Sequence, residues 1–186
     1  MHPFRRSRGR FVASFAAEEA ALLIDLLAQL AQLLGQRENE SRSAEPDELV
    51  ALTGIRPGPA APPADPALAR LLPDFVTGDG ELSAGLRQLR EPGIVAVKLQ
   101  AVGIMVDDIP TSGGRVSLTD AAANQWLTTL NDLRLVLGVR IDVTEDSDPP
   151  ASVQADPQGP AAAAFGIYQW LSYIQDSLVT ALLGEL

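Results

Sequence analysis

The sequence predicts a mainly α, single-domain helical bundle carrying a small two-stranded β ribbon over residues 9–15 and 114–118. Three observations carry this. Between Ala17 and Leu34 the leucines recur at three- and four-residue spacing, which puts them on one helix face. Near the C-terminus two tryptophan-containing stripes, Trp126-Leu130-Leu133-Leu137 and Ile167-Trp170-Ile174-Leu178-Ala181, keep the same period. Two short segments, "GRFVASF" and "GRVSL", alternate with a period of two instead.

Taken in chain order, residues 1–8 read as a basic, frayed arm in which Arg5, Arg6 and Arg8, with Arg10 just beyond, meet no acid. In "GRFVASF", Phe11, Ala13 and Phe15 share one side. A helix follows, with Glu18 and Glu19 at its positive dipole end and Gly35 closing it. "QRENESRSAE" is polar and reads as a loop, and Pro46 at a first helical position starts a brief helix to Leu52. Residues 54–66 form a proline-rich loop: "RPGPAAPPADP" carries five prolines in eleven residues, which suits an extended surface spacer better than a polyproline ligand.

Asp65 and Pro66 supply the cap and first position of a short helix, Ala67 to Leu72, that Pro73 stops. After a turn at Gly78 and Gly80, helices over Glu81–Arg90 and Ile94–Val106 flank Pro92 and Gly93. The β-branched residues of "IVAVKLQAVGIMV" leave a strand as the alternative for the second. Thr119 caps the next helix, which runs to Leu137 with Asp120 in its first turn. Residues 143–160 form an acidic, proline-rich loop before a last helix from Ala161 to Leu183. "GRFVASFAAEEAALL" and "GRVSLTDAAANQWL" share a strand-then-helix order, compatible with a degenerate duplication or with chance.

Composition removes several chemistries. The chain's 186 residues hold no cysteine, so thiolate nucleophiles, thiol redox sensing and cysteine-bound zinc are excluded. The one histidine is His2, which takes away most imidazole-based acid–base and metal sites. The longest uncharged stretch, Pro157 to Gln175, contains prolines, glutamines and a serine and does not suit a membrane span, and no secretory h-region appears; a cytoplasmic protein without cofactor is expected. Net charge is −10, and without the four arginines of residues 1–10 the remainder has 10 basic against 24 acidic residues. Such a body repels phosphate, which leaves the arm, through Arg5, Arg6, Arg8 and Arg10, as an optional DNA contact, the alternative being a disordered basic tail.

Candidate polar sites are few. On the 119–137 helix, Asn131 and Arg134 lie at the edge of the apolar stripe and Asp132 points away from it, toward solvent. On the last helix Gln175 and Asp176 hold a matching position, so packing the two helices side by side brings Arg134 near one of them, as a register-fixing contact or as an interaction site. Lys98, the only lysine, reads as a surface lysine with its head in water, the alternative being a desolvated amine suited to Schiff-base chemistry. Asp107, Asp108, Glu145, Asp146 and Asp148 read as solvated loop acids and lack the pattern of a calcium loop.

The stretches "WLTTLNDLRLVLGVRI", "YQWLSYIQDSLVTALL" and "DPALARLLPD" resemble an actinobacterial family of unknown function whose members are often described as transcriptional regulators, some as oxidative-stress regulators of the AosR type. The likeness runs from "GRF" to the last helix and rests on helix-packing positions: Trp126, Leu127, Asn131, Asp132, Arg134, Gly138, Trp170, Leu171, Gln175, Asp176 and Ser177. It implies a helical protein acting through the transcription machinery or on DNA, with no established catalytic residue. A chain without cysteine departs from the thiol-based oxidant sensing proposed for some members. The expected function is therefore a non-enzymatic regulator that docks a protein partner. The alternatives are a helical scaffold outside transcription, self-associating as a homodimer, and an enzyme built on Lys98 or paired acids.

Overall fold

The computed structural model describes residues 1–42, 57–144 and 149–184. Among these described residues nine elements follow in order: β1 (His2–Ser7), β2 (Arg10–Phe15), α1 (Ala17–Arg42), α2 (Pro66–Leu71), α3 (Gly80–Asp108), β3 (Gly114–Leu118), α4 (Asp120–Arg140), α5 (Ala151–Ala155) and α6 (Pro160–Leu183). The protein is mainly α, as expected, but it is no plain bundle: a three-stranded antiparallel sheet, ordered β1-β2-β3, joins the helices. α1 lies along α3, α4 along α6, and α2 along α4, while β1 rests on α6.

The free basic arm expected over residues 1–8 is strand β1. Its register pairs Arg5 with Val12 and Ser7 with Arg10. Arg8 and Gly9 both take positive φ, 51° and 75°, the backbone of a two-residue hairpin turn that matches the right-handed twist of its strands. The sequence conceals this strand because Phe4 is its one buried side chain, set among proline and arginines. Phe4 is fully buried and meets Trp126 edge-on, ring centroids 5.6 Å apart. The ribbon expected at 9–15 and 114–118 pairs in the register Phe11↔Leu118 to Phe15↔Gly114, with Phe11, Ala13, Phe15, Val116 and Leu118 in the core.

Two helices run further than expected. Gly35 does not end α1; the buried row Leu23, Leu27, Leu30, Leu34 continues one step to Arg37, and the helix goes on to Arg42. The helices expected on either side of Pro92 are one helix, α3. A proline inside a helix cannot donate to the carbonyl four residues back, here Gln88. Gly58 replaces the missing donor: its N–H gives a 2.7 Å hydrogen bond to the Gln88 carbonyl. The proline-rich segment is thus strapped onto α3 instead of running free.

Only glycine fits there, since a Cβ at residue 58 would lie 2.9 Å from Cγ of Pro92. Gly58→Ala is expected to cost about 1–3 kcal/mol through this overlap, read as a lower denaturation midpoint with an unchanged slope. A variant as stable as the parent would show that the strap does not stabilise α3 at Pro92. Residues 46–52, where a short helix is expected, and the acids Glu145, Asp146 and Asp148 lie outside the described residues. The rest of the expected 143–160 loop contains the short helix α5.

Candidate functional site

Helix α4 carries most of the polar groups singled out in the sequence. Thr119 caps it, its hydroxyl accepting from the Ala122 amide at 3.2 Å. Trp126, Leu130 and Leu133 face the core, and the Trp126 indole N–H donates to Asp108 at 2.9 Å. Asn131 is exposed, not at the edge of the apolar stripe.

Asp132 is not solvent-facing. It is 4 % exposed, and both its oxygens accept from Nζ of Lys98 at 2.7 Å. A single inward stripe predicts an outward Asp132, but α4 also packs against α3, so a second side of the helix is covered. Lys98 is correspondingly no free surface lysine. Burial drives the Asp132 pKa above its ordinary value, and the hydrogen bonds and charge of Lys98 pull it back only in part.

That direction sets a pH dependence. A carboxyl that holds its proton more tightly when folded contributes stability that is full below its ordinary pKa and declines as pH rises through the folded value. Asp132→Asn is expected to flatten that decline and to cost less at neutral pH than the roughly 3–5 kcal/mol of breaking a fully buried pair, because the Lys98 side chain keeps 16 % exposure. Chemical denaturation between pH 3 and 8 checks it; an Asn variant with the parent's pH slope would contradict the assignment.

Arg134 bridges α4 and α6. Its Nη1 donates to Gln175 Oε1 at 2.7 Å, and its guanidinium carbon lies 5.3 Å from the centre of the Tyr168 ring. Asp176, one residue on, is exposed and stays outside this contact. Of the five candidates, therefore, Arg134 and Gln175 meet, Asp132 joins α3, and Asn131 and Asp176 face solvent.

A buried cluster went unforeseen. Glu91 of α3, 1 % exposed, accepts from Arg37 Nε at 2.6 Å and, through its other oxygen, from Arg87 Nη1. Arg37 also donates to Glu40 and to the Ala61 carbonyl, both at 2.6 Å, tying down the proline-rich segment a second time. Arg87 reaches Asp74 at 2.7 Å and the Leu72 carbonyl at 3.1 Å. Burial alone would lower the Arg37 pKa, but Glu91 and Glu40 more than offset it and hold it above its ordinary value. The sequence signal was the Arg87/Glu91 spacing of four, which also describes any surface pair.

The arginines of the expected arm stand on the sheet. Arg5, Arg8 and Arg10 are exposed; Arg10 donates to Ser117 Oγ at 2.8 Å and to its carbonyl at 2.7 Å, and the Arg6 guanidinium sits 5.9 Å from the Phe11 ring centre. Among the described residues, no group of three or more His, Cys, Asp or Glu could hold a metal ion. Nor is any described helix long and apolar enough to cross a membrane.

This arrangement of helices and sheet is spanned by one family model, "Domain of unknown function (DUF2017)", which matches residues 1–182. The chain belongs to that family. Its similarity to curated proteins covers nearly the full length. It is 40 % identical over 193 residues to the "Oxidative stress regulator AosR" of Mycobacterium tuberculosis, and equally to that of Mycobacterium bovis, covering 97 % of this chain and 85 % of each relative. A provisionally named AosR of Mycobacterium leprae is 42 % identical over 188 residues, covering 94 % of this chain and 83 % of the relative. No solved structure matches. Within this DUF2017 member the polar groups described above tie helix to helix.

Proposed function

We propose that this chain is a regulator in the oxidative-stress response that acts by docking a protein partner, a component of the transcription machinery, and catalyses no reaction. The observation that carries this reading is the 40 % identity, over 97 % of the chain, to a protein named as an oxidative stress regulator. The geometry agrees with it. Lys98, the best catalytic candidate in the sequence, has its ammonium occupied by both oxygens of Asp132, and the buried carboxylate Glu91 is saturated by two guanidiniums. With no cysteine in these 186 residues, the oxidant signal reaches the protein through its partner and not through a thiol of its own.

The test is affinity capture with the tagged chain from an actinobacterial lysate, before and after peroxide treatment, followed by cross-linking to the captured protein. Enrichment of a transcription protein, cross-linked to this chain, is the expected result. Capture of none under either condition overturns the proposal.

A scaffold that self-associates is the second reading, favoured by one observation. Leu82, Leu89 and Val97 stand on one line of α3 and are 50 %, 63 % and 65 % exposed. Sedimentation decides it: a strict monomer at micromolar concentration removes the homodimer.

A further inference from the structure

We infer that the outer face of the three-stranded sheet is a docking surface for an acidic polypeptide segment with an apolar anchor residue. This rests on the docking reading above and names the surface and the chemistry of the partner.

Cross-strand neighbours share a face, so the register sets Arg5 beside Val12 and Ser117, and Ser14 beside Arg115. The helices cover the opposite face, where Phe4, Phe11 and Phe15 point. Against β1 and β2 lies an apolar cleft of about 760 Å³ lined by His2, Pro3, Arg5, Arg115 and the buried Val12, with the core residue Phe4 at its floor. Arg10 is held flat against Ser117 next to it, and Arg8 projects from the hairpin tip.

The charge of the sheet is one-sided: Arg5, Arg8, Arg10 and Arg115 lie on or beside the outer face, while Arg6 pairs with Phe11 at the edge of the helix side. Residues 1–16 and 109–119 contain five arginines, the only histidine and no acid; the rest of the chain has nine basic against 24 acidic residues, a charge of −15. Elsewhere, Arg37, Arg87, Lys98 and Arg140 are each paired with a carboxylate and Arg134 with Gln175, while among the described residues the scattered Arg70 and Arg90 outside the sheet stand without such a partner. None of the five sheet arginines is paired with a carboxylate among the described residues. A row of unneutralised guanidiniums on an otherwise acidic protein attracts and orients an acidic partner. Arg8 adds to this: its positive φ favours asparagine or glycine at that turn position, so arginine stands there against local preference.

A polypeptide fits better than a nucleic acid. Single strands are held by stacking bases on exposed aromatic rings, and Phe4, Phe11 and Phe15 are all buried. Phosphate chains longer than the sheet would meet the −15 body. An acidic peptide needs only local charge, and a leucine or phenylalanine within it fills the apolar cleft.

Two labelled probes test this on the full chain by fluorescence anisotropy: the peptide Glu-Asp-Glu-Phe-Leu-Glu-Asp-Glu and a twelve-residue oligothymidylate. The peptide is expected to bind, more weakly as salt rises. Arg5→Glu with Arg115→Glu should weaken it by about tenfold or more, and Val12→Ala should weaken it without changing its salt dependence. Arg90→Glu, on exposed α3 surface, should leave it alone, and thermal melts confirm that every variant folds. Binding that is indifferent to the sheet variants overturns the inference, and so does a preference for the oligothymidylate. If the wild-type chain captures a transcription protein from lysate and the Arg5→Glu, Arg115→Glu variant captures it equally, this surface is wrong and the docking reading stands. If the wild type captures nothing, the docking reading itself fails.

Discussion

Glu91→Gln is expected to lower stability by about 3–5 kcal/mol, the cost of leaving buried charges without their partner. Two guanidiniums, Arg37 and Arg87, share this carboxylate, and its own exposure is 1 %. The amide keeps one acceptor oxygen, turns a donor NH2 toward the other guanidinium and carries no charge, so two cations remain in a site closed to water. Glu40 and Asp74, the remaining carboxylate partners, are half or more exposed and screened by solvent, which limits what they can compensate. Glu40→Gln is the internal comparison and should cost under about 1 kcal/mol. Urea denaturation of the three proteins reads both. Equal effects for the two substitutions would mean that Glu91 is not the centre of the cluster. Because Arg37 also holds the Ala61 carbonyl, loss of the cluster should loosen the proline-rich segment as well.

Trp126→Ala is expected to cost a further large amount, about 3–5 kcal/mol, as a buried large-to-small change that leaves a cavity. The ring is fully buried and touches both Phe4 of β1 and Phe15 of β2, centroids 5.6 and 6.3 Å away. It is therefore the point where the sheet is fastened to the helices. For a chain of this size the melting temperature should fall by roughly 6–20 °C. Trp126→Phe keeps an aromatic ring against Phe4 and loses only volume and the hydrogen bond to Asp108, so it should lie between the two. A melting temperature for the alanine variant within about 2 °C of the parent would contradict the packing described.

Much of the helical framework was legible because its signals are local. Asp65 accepts from the Ala67 and Leu68 amides as a cap should, Thr119 caps α4, and Pro160 opens α6 beside the expected start at Ala161. Strands β2 and β3 showed their alternation. What stayed hidden depends on tertiary partners. β1 offers one apolar residue, so no period exists to detect. The continuity of α3 across Pro92 needs a donor thirty-four residues earlier. Arg37 takes the place of a core leucine because Glu91 waits opposite it, and Asp132 is covered by a neighbour the helix's own pattern does not mention. Of the candidate site, the Arg134–Gln175 contact followed from matching two stripes. The clustering of five arginines on one sheet did not, since Arg115 lies a hundred residues from the others in sequence.

The bond from Gly58 to the Gln88 carbonyl makes one amide proton a gauge of a distant element. That proton is shielded while the strap is closed on α3 and is released to solvent when the contact at Gln88 opens. Its deuterium uptake thus times local opening at the middle of a 29-residue helix from a point outside that helix.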